Sequence, residues 1–318
     1  MSQILPLKIA VIDCGTNTFA LNIYQPTEQG AFKRVYKERY FVELLEEGKG
    51  HIGEVPFQRA LAAHTNFAQT LLSHDIYQLR ALGTAALRLA DNGIDLIQAV
   101  YQKAGIKIEV IDGLKEADLI YKGVKMAVAD VKDNFLIMDI GGGSVEFIFC
   151  NNREVFWAQS FNIGAAVLYE MFQPENPVTQ NTIDIMRKEL ELMLAPVWQA
   201  AQNFPVKTLV GASGTFDVIA NIHNPNRKRH EKLFDSLDTE FFNNEVYNML
   251  LDTTYQERLD MHHLPPTRAK LIIGVVVLIK LVIDKLNMTT LGISDYALRE
   301  GTAWEIYQEY LRQNKDSL

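Results

Sequence analysis

The sequence predicts an α/β protein built from two similar domains. Apolar runs typical of buried strands alternate with segments of helical spacing along nearly the whole chain of 318 residues. A strand–turn–strand motif close to the N terminus also recurs near the middle of the chain. Because an internal repeat indicates related structural units, and because the chain is long enough for two domains of ordinary size, we expect two domains.

The repeated motif is an apolar strand that ends in aspartate, followed by a turn of glycine and small polar residues and by a second apolar strand. Its two copies occupy residues 8–21 and 135–149. The pairs in register, each 126 residues apart (139 − 13 = 126), are Asp13 with Asp139, Gly15 with Gly141, and Thr18 with Ser144. We expect both turns to open toward one cleft between the domains.

Each turn is suited to hold an anion, because glycine leaves backbone N–H groups accessible. In the second copy, Glu146 lies on the returning strand and can face the same turn as Asp139. Two carboxylates beside such a turn suit a divalent cation held between protein oxygens and phosphate oxygens. The alternative is an ordinary hairpin whose glycines only make the turn.

The other predicted elements alternate between strands and helices. In the first half we predict strands at 31–42, 77–82 and 106–111 and helices at 55–73, 94–104 and 116–129. In the second half we predict strands at 135–138, 145–150, 155–160, 207–210 and 290–294 and helices at 182–201, 238–251, 267–285 and from 297 onward. We place the first domain at 1–124, the second at 125–299, and a C-terminal helix at 300–318 near the first domain.

Two charged residues stand at predicted strand-to-helix junctions. Arg88 follows a Gly-Thr pair at the start of a helix, where a guanidinium can clamp phosphate with two hydrogen bonds. A surface arginine is the alternative. Glu116 begins the next helix, where a carboxylate is either a partner of the helix dipole or a general base that deprotonates water.

Three further segments bear on function. Gly214 and Thr215 open a helix directly after a strand, which is the usual geometry for an anion at a helix N terminus. In the segment 294–301, we interpret Arg299 and Glu300 as structural residues that close the domain junction. The basic run 227–230, with Lys232, is interpreted as a solvated loop, with a track for polyanions as the alternative.

Composition limits the partners and the compartment. The net charge is −8, which gives no general electrostatic attraction to nucleic acid. The two cysteines, Cys14 and Cys150, lack metal-type spacing and favour a reducing compartment, and Cys14 is interpreted as a small buried residue. There is no secretory leader pattern, and the longest apolar run, 271–279, is too short to span a bilayer. We therefore expect a cytoplasmic protein without a membrane partner.

Six motifs in sequence order resemble those of one family. They are IDCGTNTF at 12–19, GTAALR at 83–88, GLKEA at 113–117, DIGGGSVE at 139–146, GASGT at 211–215 and SDYALREG at 294–301. Together they resemble the exopolyphosphatase / guanosine pentaphosphate phosphohydrolase (Ppx/GppA) family over nearly the whole chain. The resemblance implies two ribonuclease-H-like domains of the actin/Hsp70/sugar kinase superfamily that face an interdomain cleft.

The resemblance also implies a phosphoanhydride hydrolase and a role for each motif. Glu116 aligns with the proposed base for the attacking water, and Arg88 with a phosphate-binding arginine. Mg²⁺, or another divalent cation, is implied, with Asp139, Glu146 and Asp13 as its candidate ligands. The candidate phosphate-binding residues are Gly15, Thr16, Asn17, Thr18, Gly142, Gly143, Ser144, Gly214 and Thr215.

The chain departs from the family pattern in three places. Lys115 stands where family members usually have a second glutamate before the base, and Cys14 stands where an aliphatic residue is usual. The chain ends at Leu318 and so resembles the short members, which lack the C-terminal helical domain of the long ones. That domain contributes to binding long polyphosphate and to dimerisation in the long members, so we leave processivity and a homodimer open.

The leading functional hypothesis is release of terminal orthophosphate from inorganic polyphosphate. The closest alternative is hydrolysis of the 5′ γ-phosphate of guanosine pentaphosphate (pppGpp) by the same residues. A kinase of the same superfamily, with a nucleotide pocket at 211–215, is disfavoured by the Arg88 and Glu116 motifs. A non-catalytic sensor of guanosine tetra- or pentaphosphate is disfavoured because the full set of acidic residues is present.

Overall fold

A computed structural model describes residues 7–27, 31–46, 48, 50–76, 78–227 and 232–314. The chain divides into two compact units. Unit 1 comprises Met1–Gly123 together with Leu298–Leu318, and unit 2 comprises Val124–Ala297. Each unit contains one mixed β-sheet.

The eleven strands of the described chain fall into two sheets. They are β1 Ile9–Cys14, β2 Thr18–Pro26, β3 Phe32–Phe41, β4 Gln78–Gly83, β5 Ile108–Val110, β6 Phe135–Ile140, β7 Val145–Cys150, β8 Val155–Phe161, β9 Thr208–Ala212, β10 Phe234–Asp238 and β11 Thr290–Ser294. The sheet of unit 1 has the order β3-β2-β1-β4-β5, and that of unit 2 has the order β10-β11-β9-β6-β7-β8.

The helices of the described chain lie between and after these strands. They are α1 Glu54–Ser73, α2 Ala85–Leu89, α3 Gly93–Ala104, α4 Gly113–Ala127, α5 Ala165–Phe172, α6 Gln180–Met193, α7 Ala195–Asn203, α8 Gly214–His223, α9 Thr239–Phe241, α10 Asn248–Asp252, α11 Tyr255–Asp260, α12 Pro266–Ala269, α13 Ile272–Leu286 and α14 Leu298–Gln313. A π-helical segment, Phe242–Tyr247, joins α9 to α10.

The two sheets share one topology, as the internal repeat predicts. In unit 1, β1 pairs antiparallel with β2 and parallel with β4, and β2 pairs antiparallel with β3. In unit 2, β6, β7, β8 and β9 repeat this pattern. Three antiparallel strands followed by parallel ones in the order 3-2-1-4-5 fit the ribonuclease-H-like arrangement that the family resemblance implies, and the predicted α/β class with two similar domains is confirmed.

In unit 1 the sheet is covered on both faces. Phe19 and Leu21 of β2 pack with Phe67 of α1 in the main core. Residues of opposite parity on the same strands lie on the other face, where α14 packs against β1 and β2. The close approach of α14 to α4 requires Gly301, because a Cβ atom there would lie 1.8 Å from the carbonyl oxygen of Leu119.

In unit 2 the sheet is buried more deeply. Every residue of β6 and β7 is buried, as expected for central strands covered on both faces. Helix α13 is apolar on almost every side and contributes most of its residues to the core. Such a helix is stable only inside a protein, so α13 and the central strands together set the rigid frame of unit 2.

Two predicted elements need correction. The single helix predicted at 182–201 is two helices, α6 and α7, which separate at Leu194. Pro196 lies in the first turn of α7, where its missing N–H costs nothing, whereas inside one continuous helix it would remove a hydrogen bond. The helix predicted at 267–285 is likewise two helices, α12 and α13.

Three elements were not predicted from the sequence. They are α5, α11 and β10, which extends the second sheet by pairing antiparallel with β11. The β10 sequence FDSLD is rich in residues that disfavour strands, so only its pairing with β11 defines it. In the described part of the chain, no helix has the length and apolarity needed to cross a membrane.

Candidate active site

The first glycine turn, in unit 1, joins β1 to β2. The Gly15 N–H donates to the carbonyl oxygen of Thr18 at 3.2 Å and closes the turn. The segment that follows β3 supports it, since the N–H groups of Val42 and Leu44 donate to the carbonyls of Asn17 and Thr16 at 3.0 and 2.8 Å. The candidate phosphate-binding residues 15–18 therefore form one backbone-anchored loop.

Asp13 lies near the end of β1, at the base of this turn, and is half-buried. Burial raises the pKa of its carboxyl above the usual value, while the charges of Arg299 and Arg39 act in the opposite direction. Glu300 also raises it, and the Glu300 carboxylate accepts a hydrogen bond from the Tyr24 hydroxyl at 2.6 Å. Arg299 and Glu300 thus contribute to the electrostatic environment of Asp13 within unit 1.

Cys14 and His64 form a buried pair next to Asp13. The Cys14 Sγ lies 3.5 Å from His64 Nε2, and His64 Nδ1 lies 2.9 Å from the carbonyl oxygen of Ala60. The Ala60 carbonyl can only accept, so Nδ1 carries the proton and Nε2 accepts from the thiol. Both side chains are fully buried, which confirms the interpretation of Cys14 as a buried residue.

Arg88 and Glu116 form an ion pair in unit 1. Arg88 Nη1 donates to Glu116 Oε2 at 3.2 Å and to the carbonyl oxygen of Ile111 at 2.8 Å. Glu116 stands in the first turn of α4 and is buried, whereas Arg88 keeps about a fifth of its side-chain surface exposed, at 21%. Two residues singled out separately in the sequence are therefore direct partners.

This geometry leaves part of the Arg88 guanidinium available for an anion. Its hydrogen bonds within the described chain all use Nη1, so Nε and Nη2 keep N–H donors for a ligand. A guanidinium anchored at one end and exposed at the other is well placed to bind phosphate with two hydrogen bonds. It also stabilises a neighbouring carboxylate in the ionised form, which is the form that can accept a proton.

Lys115, the neighbour of Glu116, points to a different partner. Its Nζ lies 2.7 Å from Glu305 Oε1, on α14. The same carboxylate pairs with Lys122 at 2.6 Å and with Arg80 at 3.0 Å. Burial raises the pKa of Glu305, but hydrogen bonds from Lys115 and Lys122 outweigh it, and the pKa lies below its usual value. The sequence departure at Lys115 is thus accommodated by a partner on α14.

The second glycine turn, in unit 2, has the same backbone closure as the first. The Gly141 N–H donates to the carbonyl oxygen of Ser144 at 2.9 Å. The carbonyls of residues 141–143 accept from the N–H groups at the start of α5, namely those of Gly164, Ala165 and Ala166. A Cβ atom on Gly164 would lie only 2.5 Å from Gly142, so glycine is required for this contact.

The carbonyls of the turn are therefore directed toward α5, and the N–H groups of the turn are left for another partner. Within the described chain, the N–H groups of Gly142 and Gly143 have no backbone acceptor. Consecutive amides with no internal acceptor form the type of nest that binds phosphate oxygens. Ser144, at the end of the turn, is buried.

Asp139 and Glu146 stand directly opposite each other on the antiparallel strands β6 and β7. Residues in that relation have side chains on the same face of the sheet, with Cβ atoms about 5 Å apart. Both carboxyl groups are buried, and Glu146 accepts a hydrogen bond from Ser160 at 2.7 Å. Two carboxyl groups so placed can both offer oxygens to one cation.

This pair fits Mg²⁺ through its donor set. Mg²⁺ is usually held by one or two carboxylates, with water and substrate phosphate completing the coordination. Among the described residues there is no group of three or more His, Cys, Asp and Glu side chains that could hold a metal. The metal role of Asp139, Glu146 and Asp13 stays a prediction, for which Asp139 and Glu146 supply a suitable two-carboxylate geometry.

A third candidate site lies at the start of α8 in unit 2. Ser213 has φ 73° and ψ −179°, a strained conformation for a non-glycine residue, and its hydroxyl donates to the carbonyl of Ile140 at 2.9 Å. Arg268 Nη1 donates to the Thr215 hydroxyl at 3.2 Å. A Cβ atom on Gly214 would overlap the Arg268 guanidinium, at 2.1 Å from Nη2.

Arg268 is the residue that the sequence analysis missed at this site. It stands 53 positions after Thr215, and no motif of α12 indicates that the two residues meet. The N terminus of a helix carries partial positive charge, and the guanidinium adds a full one. An anion at Gly214 and Thr215 would be attracted by both, which strengthens the prediction of a phosphate-binding role there.

The interpretation of the basic run as a solvated loop is wrong for Arg227. Its guanidinium donates to Asp235 at 2.6 Å and to Asp295, and it lies 3.6 Å from Asp217. Its side chain is only 7% exposed. Lys228, Arg229 and His230 lie outside the described residues. Because Arg227 is enclosed by three aspartates, it is a structural residue rather than part of a polyanion track.

Comparison with known proteins identifies the family. The model of the Ppx/GppA phosphatase family matches residues 23–310. The chain belongs to the Ppx/GppA phosphatase family. The family resemblance inferred from the six sequence motifs is therefore confirmed.

Solved structures of Ppx/GppA proteins support the fold. A crystal structure of an exopolyphosphatase from Cytophaga hutchinsonii has 33% sequence identity and a TM-score of 0.90, over 95% of this chain and 98% of that one. A Ppx/GppA family member from Aquifex aeolicus has 22% identity and a TM-score of 0.82, over 98% and 99% of the two chains. The latter supports the fold alone.

Curated Ppx/GppA relatives are longer than this chain. A guanosine-5′-triphosphate,3′-diphosphate pyrophosphatase from Aliivibrio fischeri is 26% identical over 311 residues, which are 97% of this chain and 61% of that protein. A protein of the same name from Photobacterium profundum is 26% identical over 302 residues, 93% and 59% of the two chains. The chain thus spans about three fifths of the length of the curated relatives it matches.

Proposed function

We propose that this protein hydrolyses terminal phosphoanhydride bonds and releases orthophosphate, with inorganic polyphosphate as its leading substrate. The observation that carries the proposal is the ion pair of Arg88 and Glu116, anchored on the Ile111 carbonyl with further guanidinium donors available. In this pair a guanidinium with further donors, which would bind phosphate, stands beside a buried carboxylate, which would act as the base. Membership of the Ppx/GppA phosphatase family supports the same reaction class.

In the proposed step, water attacks the terminal phosphorus atom. Glu116 accepts a proton from the water, and the bond between that phosphorus and the bridging oxygen breaks. The bridging oxygen stays on the shortened chain, and the released group is orthophosphate. Arg88 holds oxygens of the transferred phosphate through Nε and Nη2 while Nη1 stays on Glu116 and Ile111. Phosphoryl transfer depends mainly on positioning and charge neutralisation, which this arrangement supplies.

Unit 2, taken by itself, carries candidate groups for a cation and for phosphate oxygens. Asp139 and Glu146 would hold Mg²⁺, since their buried carboxyl groups stand opposite each other on neighbouring strands. A metal held there would supply neutralisation of phosphate charge. The amides of Gly142 and Gly143, and Thr215 with Arg268, would hold further phosphate oxygens.

Polyphosphate is the first candidate substrate because a protein named an exopolyphosphatase resembles this chain in both sequence identity and length. The Cytophaga hutchinsonii protein named an exopolyphosphatase shares 33% identity and is matched over 98% of its chain. Hydrolysis of pppGpp to ppGpp is the second candidate, favoured by the names of the curated relatives. The same residues would perform both reactions, so the two candidates differ only in how the rest of the substrate is bound.

The test is orthophosphate release measured side by side on tripolyphosphate, long-chain polyphosphate and pppGpp, with Mg²⁺ present. We expect the highest kcat/KM on polyphosphate and a loss of at least about a hundredfold in kcat for Glu116→Gln. Glu109→Gln, an exposed glutamate on β5, is the matched control and should retain activity. Wild-type turnover by Glu116→Gln would refute the base, and tight pppGpp binding without phosphate release would point to a sensor.

A further inference from the structure

Helix α11 of unit 2 contains a buried arginine that forms no ion pair within the described chain. Arg258 keeps only 3% of its surface exposed. The carboxylate of its neighbour Glu257 is used elsewhere, since it accepts from the N–H and the hydroxyl of Thr254 at 2.7 and 2.8 Å and caps α11. A buried charge without a counter-ion is unfavourable unless its hydrogen bonds are well satisfied. Arg258 therefore needs a physical explanation.

The hydrogen bonds of Arg258 join α11 to the end of α12. Its Nε donates to the carbonyl oxygen of Ala269, the last residue of α12, at 2.8 Å. Its Nη1 donates to the carbonyl of Thr253, just before α11. Burial lowers the pKa of Arg258, while Glu257 and Tyr255 act in the opposite direction. An arginine still keeps its proton, so this guanidinium is a charged donor that holds two carbonyls.

Helix α12 depends on such contacts for its position. It has four residues, Pro266–Ala269, which make about one helical turn. A single turn is not stable by itself, and Pro265 and Pro266 bring no N–H donors to its start. The Ala269 side chain is fully buried, and its carbonyl is the group that Arg258 holds. The location of α12 is therefore set by its packing and by Arg258.

The residue before Ala269 is the one that reaches the candidate phosphate site at Gly214 and Thr215. Arg268 Nη1 donates to the Thr215 hydroxyl at 3.2 Å. The fit is tight, because a Cβ atom on Gly214 would lie 2.1 Å from Arg268 Nη2. A small displacement of α12 would therefore change the distance between the guanidinium and the start of α8, and binding that depends on exact placement is sensitive to such shifts.

The residue after Ala269 reaches the other candidate phosphate site of unit 2. Lys270 Nζ lies 4.5 Å from the centre of the Tyr169 ring, on α5. The first N–H groups of α5 donate to the carbonyls of the glycine turn 141–143. Three consecutive residues, 268–270, thus contact the start of α8, Arg258 and α5, and Arg258 holds the middle one.

A simple structural link between α11 and α12 is the alternative explanation. It does not account for the choice of arginine, because apolar side chains of similar volume often replace a buried charge without loss of stability. Arginine differs in having a planar guanidinium whose donors point in fixed directions. Fixed direction matters where a helix end must present the adjacent Arg268 side chain to Thr215.

We propose that Arg258 is a positioning residue that acts through the Ala269 carbonyl to hold Arg268 against Thr215, where Arg268 and Thr215 bind a phosphate group of the substrate. The proposal rests on the proposed function for the identity of that substrate. It assigns part of the phosphate affinity of the α8 site to a side chain that does not touch the substrate.

The test is a double-mutant cycle between Arg258→Met and Arg268→Gln. Equilibrium binding of tripolyphosphate is measured in EDTA, where no metal-dependent turnover occurs, and KM and kcat are measured with Mg²⁺. Arg258→Lys is a second variant, which keeps the charge and can reach one carbonyl at most. Thr254→Ala is the matched control, since it removes the cap of α11 and lowers stability but leaves Arg258 on Ala269. Thermal midpoints confirm that each variant is folded at the assay temperature.

We expect Arg268→Gln to weaken tripolyphosphate binding by about tenfold, and Arg258→Met by roughly fivefold, seen mainly in KM. Arg258→Lys should be intermediate, and Thr254→Ala should bind like the wild type. Arg258→Met should cause no further loss in the Arg268→Gln background, because its effect passes through Arg268.

Three results would overturn the positioning role. They are unchanged binding in Arg268→Gln, multiplicative losses in the double variant, and a loss in Thr254→Ala equal to that in Arg258→Met. If Arg258→Met does not fold, the same cycle with Arg258→Lys decides. If the wild type releases no phosphate but its tripolyphosphate binding shows the expected coupling, the positioning role stands and the proposed hydrolysis fails.

Discussion

Arg88 Nη1 lies 3.2 Å from Glu116 Oε2, and the same nitrogen donates to the Ile111 carbonyl. The proposed phosphate clamp and the proposed base are thus held by each other before any substrate binds. Each side chain restricts the rotamers of the other, so the geometry is preorganised rather than assembled on binding. Because of this coupling, we expect the two residues to act together.

The first prediction concerns the ion pair of Arg88 and Glu116. Arg88→Ala and Glu116→Gln should each lower kcat/KM for phosphate release by about 10² or more, and the double variant should lose much less than the product of the two. A double-mutant cycle on kcat/KM measures this. Arg153→Ala, which removes an exposed arginine of unit 2, should leave activity unchanged. Strictly multiplicative losses would mean that the two residues act independently.

The second prediction concerns Asp139 and Glu146. Mg²⁺ should raise the thermal midpoint of the wild type relative to EDTA, because a ligand that binds only the folded state stabilises it. The shift should be largely lost in Asp139→Asn, because this variant removes one of the two proposed carboxylate ligands. Asp133→Asn, an exposed acid just before β6, serves as the control. An undiminished Mg²⁺ shift in Asp139→Asn would exclude this metal site.

The third prediction concerns the Glu305 ion pairs. Glu305→Gln should lower the free energy of unfolding by about 2 kcal/mol, because three cations lose the one carboxylate they share. Lys115→Glu should also destabilise unit 1 by setting a second acid against Glu305. Urea denaturation measures both, with Lys103→Glu on α3 as the control.

The pH dependence of the Glu305 pairs has a definite sign. The pKa of Glu305 is lowered in the folded state, so its contribution to stability is complete above the ordinary value of 4.5 and is lost as the pH falls through the folded pKa. The stability difference between the wild type and Glu305→Gln should therefore shrink below pH 4.5. A difference that grows in acid would contradict this assignment.

The fourth prediction concerns His64. Burial lowers its pKa from 6.5 to about 4, so the folded state holds the neutral ring. Between these values the unfolded chain binds the additional proton, and stability falls as the pH decreases from 6.5 toward 4, by about 3 kcal/mol in all. Denaturant titration across this range should show a clearly weaker pH dependence for His64→Leu. The exposed His262→Gln should keep the wild-type slope.

The repeat at Asp13 and Asp139 carried most of what the sequence could predict. A fixed offset and alternating apolar residues define both sheets, since strand pattern and turn chemistry are local properties. Local patterns also located Arg88 and Glu116, each at the start of a helix. That the two meet could not be deduced, because it depends on how β4 and β5 lie side by side in the sheet.

The features that the sequence did not predict share one cause, because each depends on residues that are distant in the chain. β10 is a strand only because β11 lies beside it. Arg268 reaches Thr215 through the packing of α12, and Arg227 is buried by aspartates from three different segments. Such contacts override local propensity and composition, and a basic stretch of sequence does not reveal which of its residues are buried. By contrast, the break between helices α6 and α7 at Leu194 could have been predicted from Pro196.

The two glycine turns are closed by the same type of backbone hydrogen bond, but the residues opposite the two aspartates differ. Opposite Asp139 stands Glu146, and at the equivalent place opposite Asp13 stands Ala20. An acid at that position attracts a cation, whereas alanine leaves the space beside Asp13 to the positive charge of Arg39. In the proposed function, this one difference would make the strand pair of unit 2 the better cation site and leave the turn of unit 1 to phosphate.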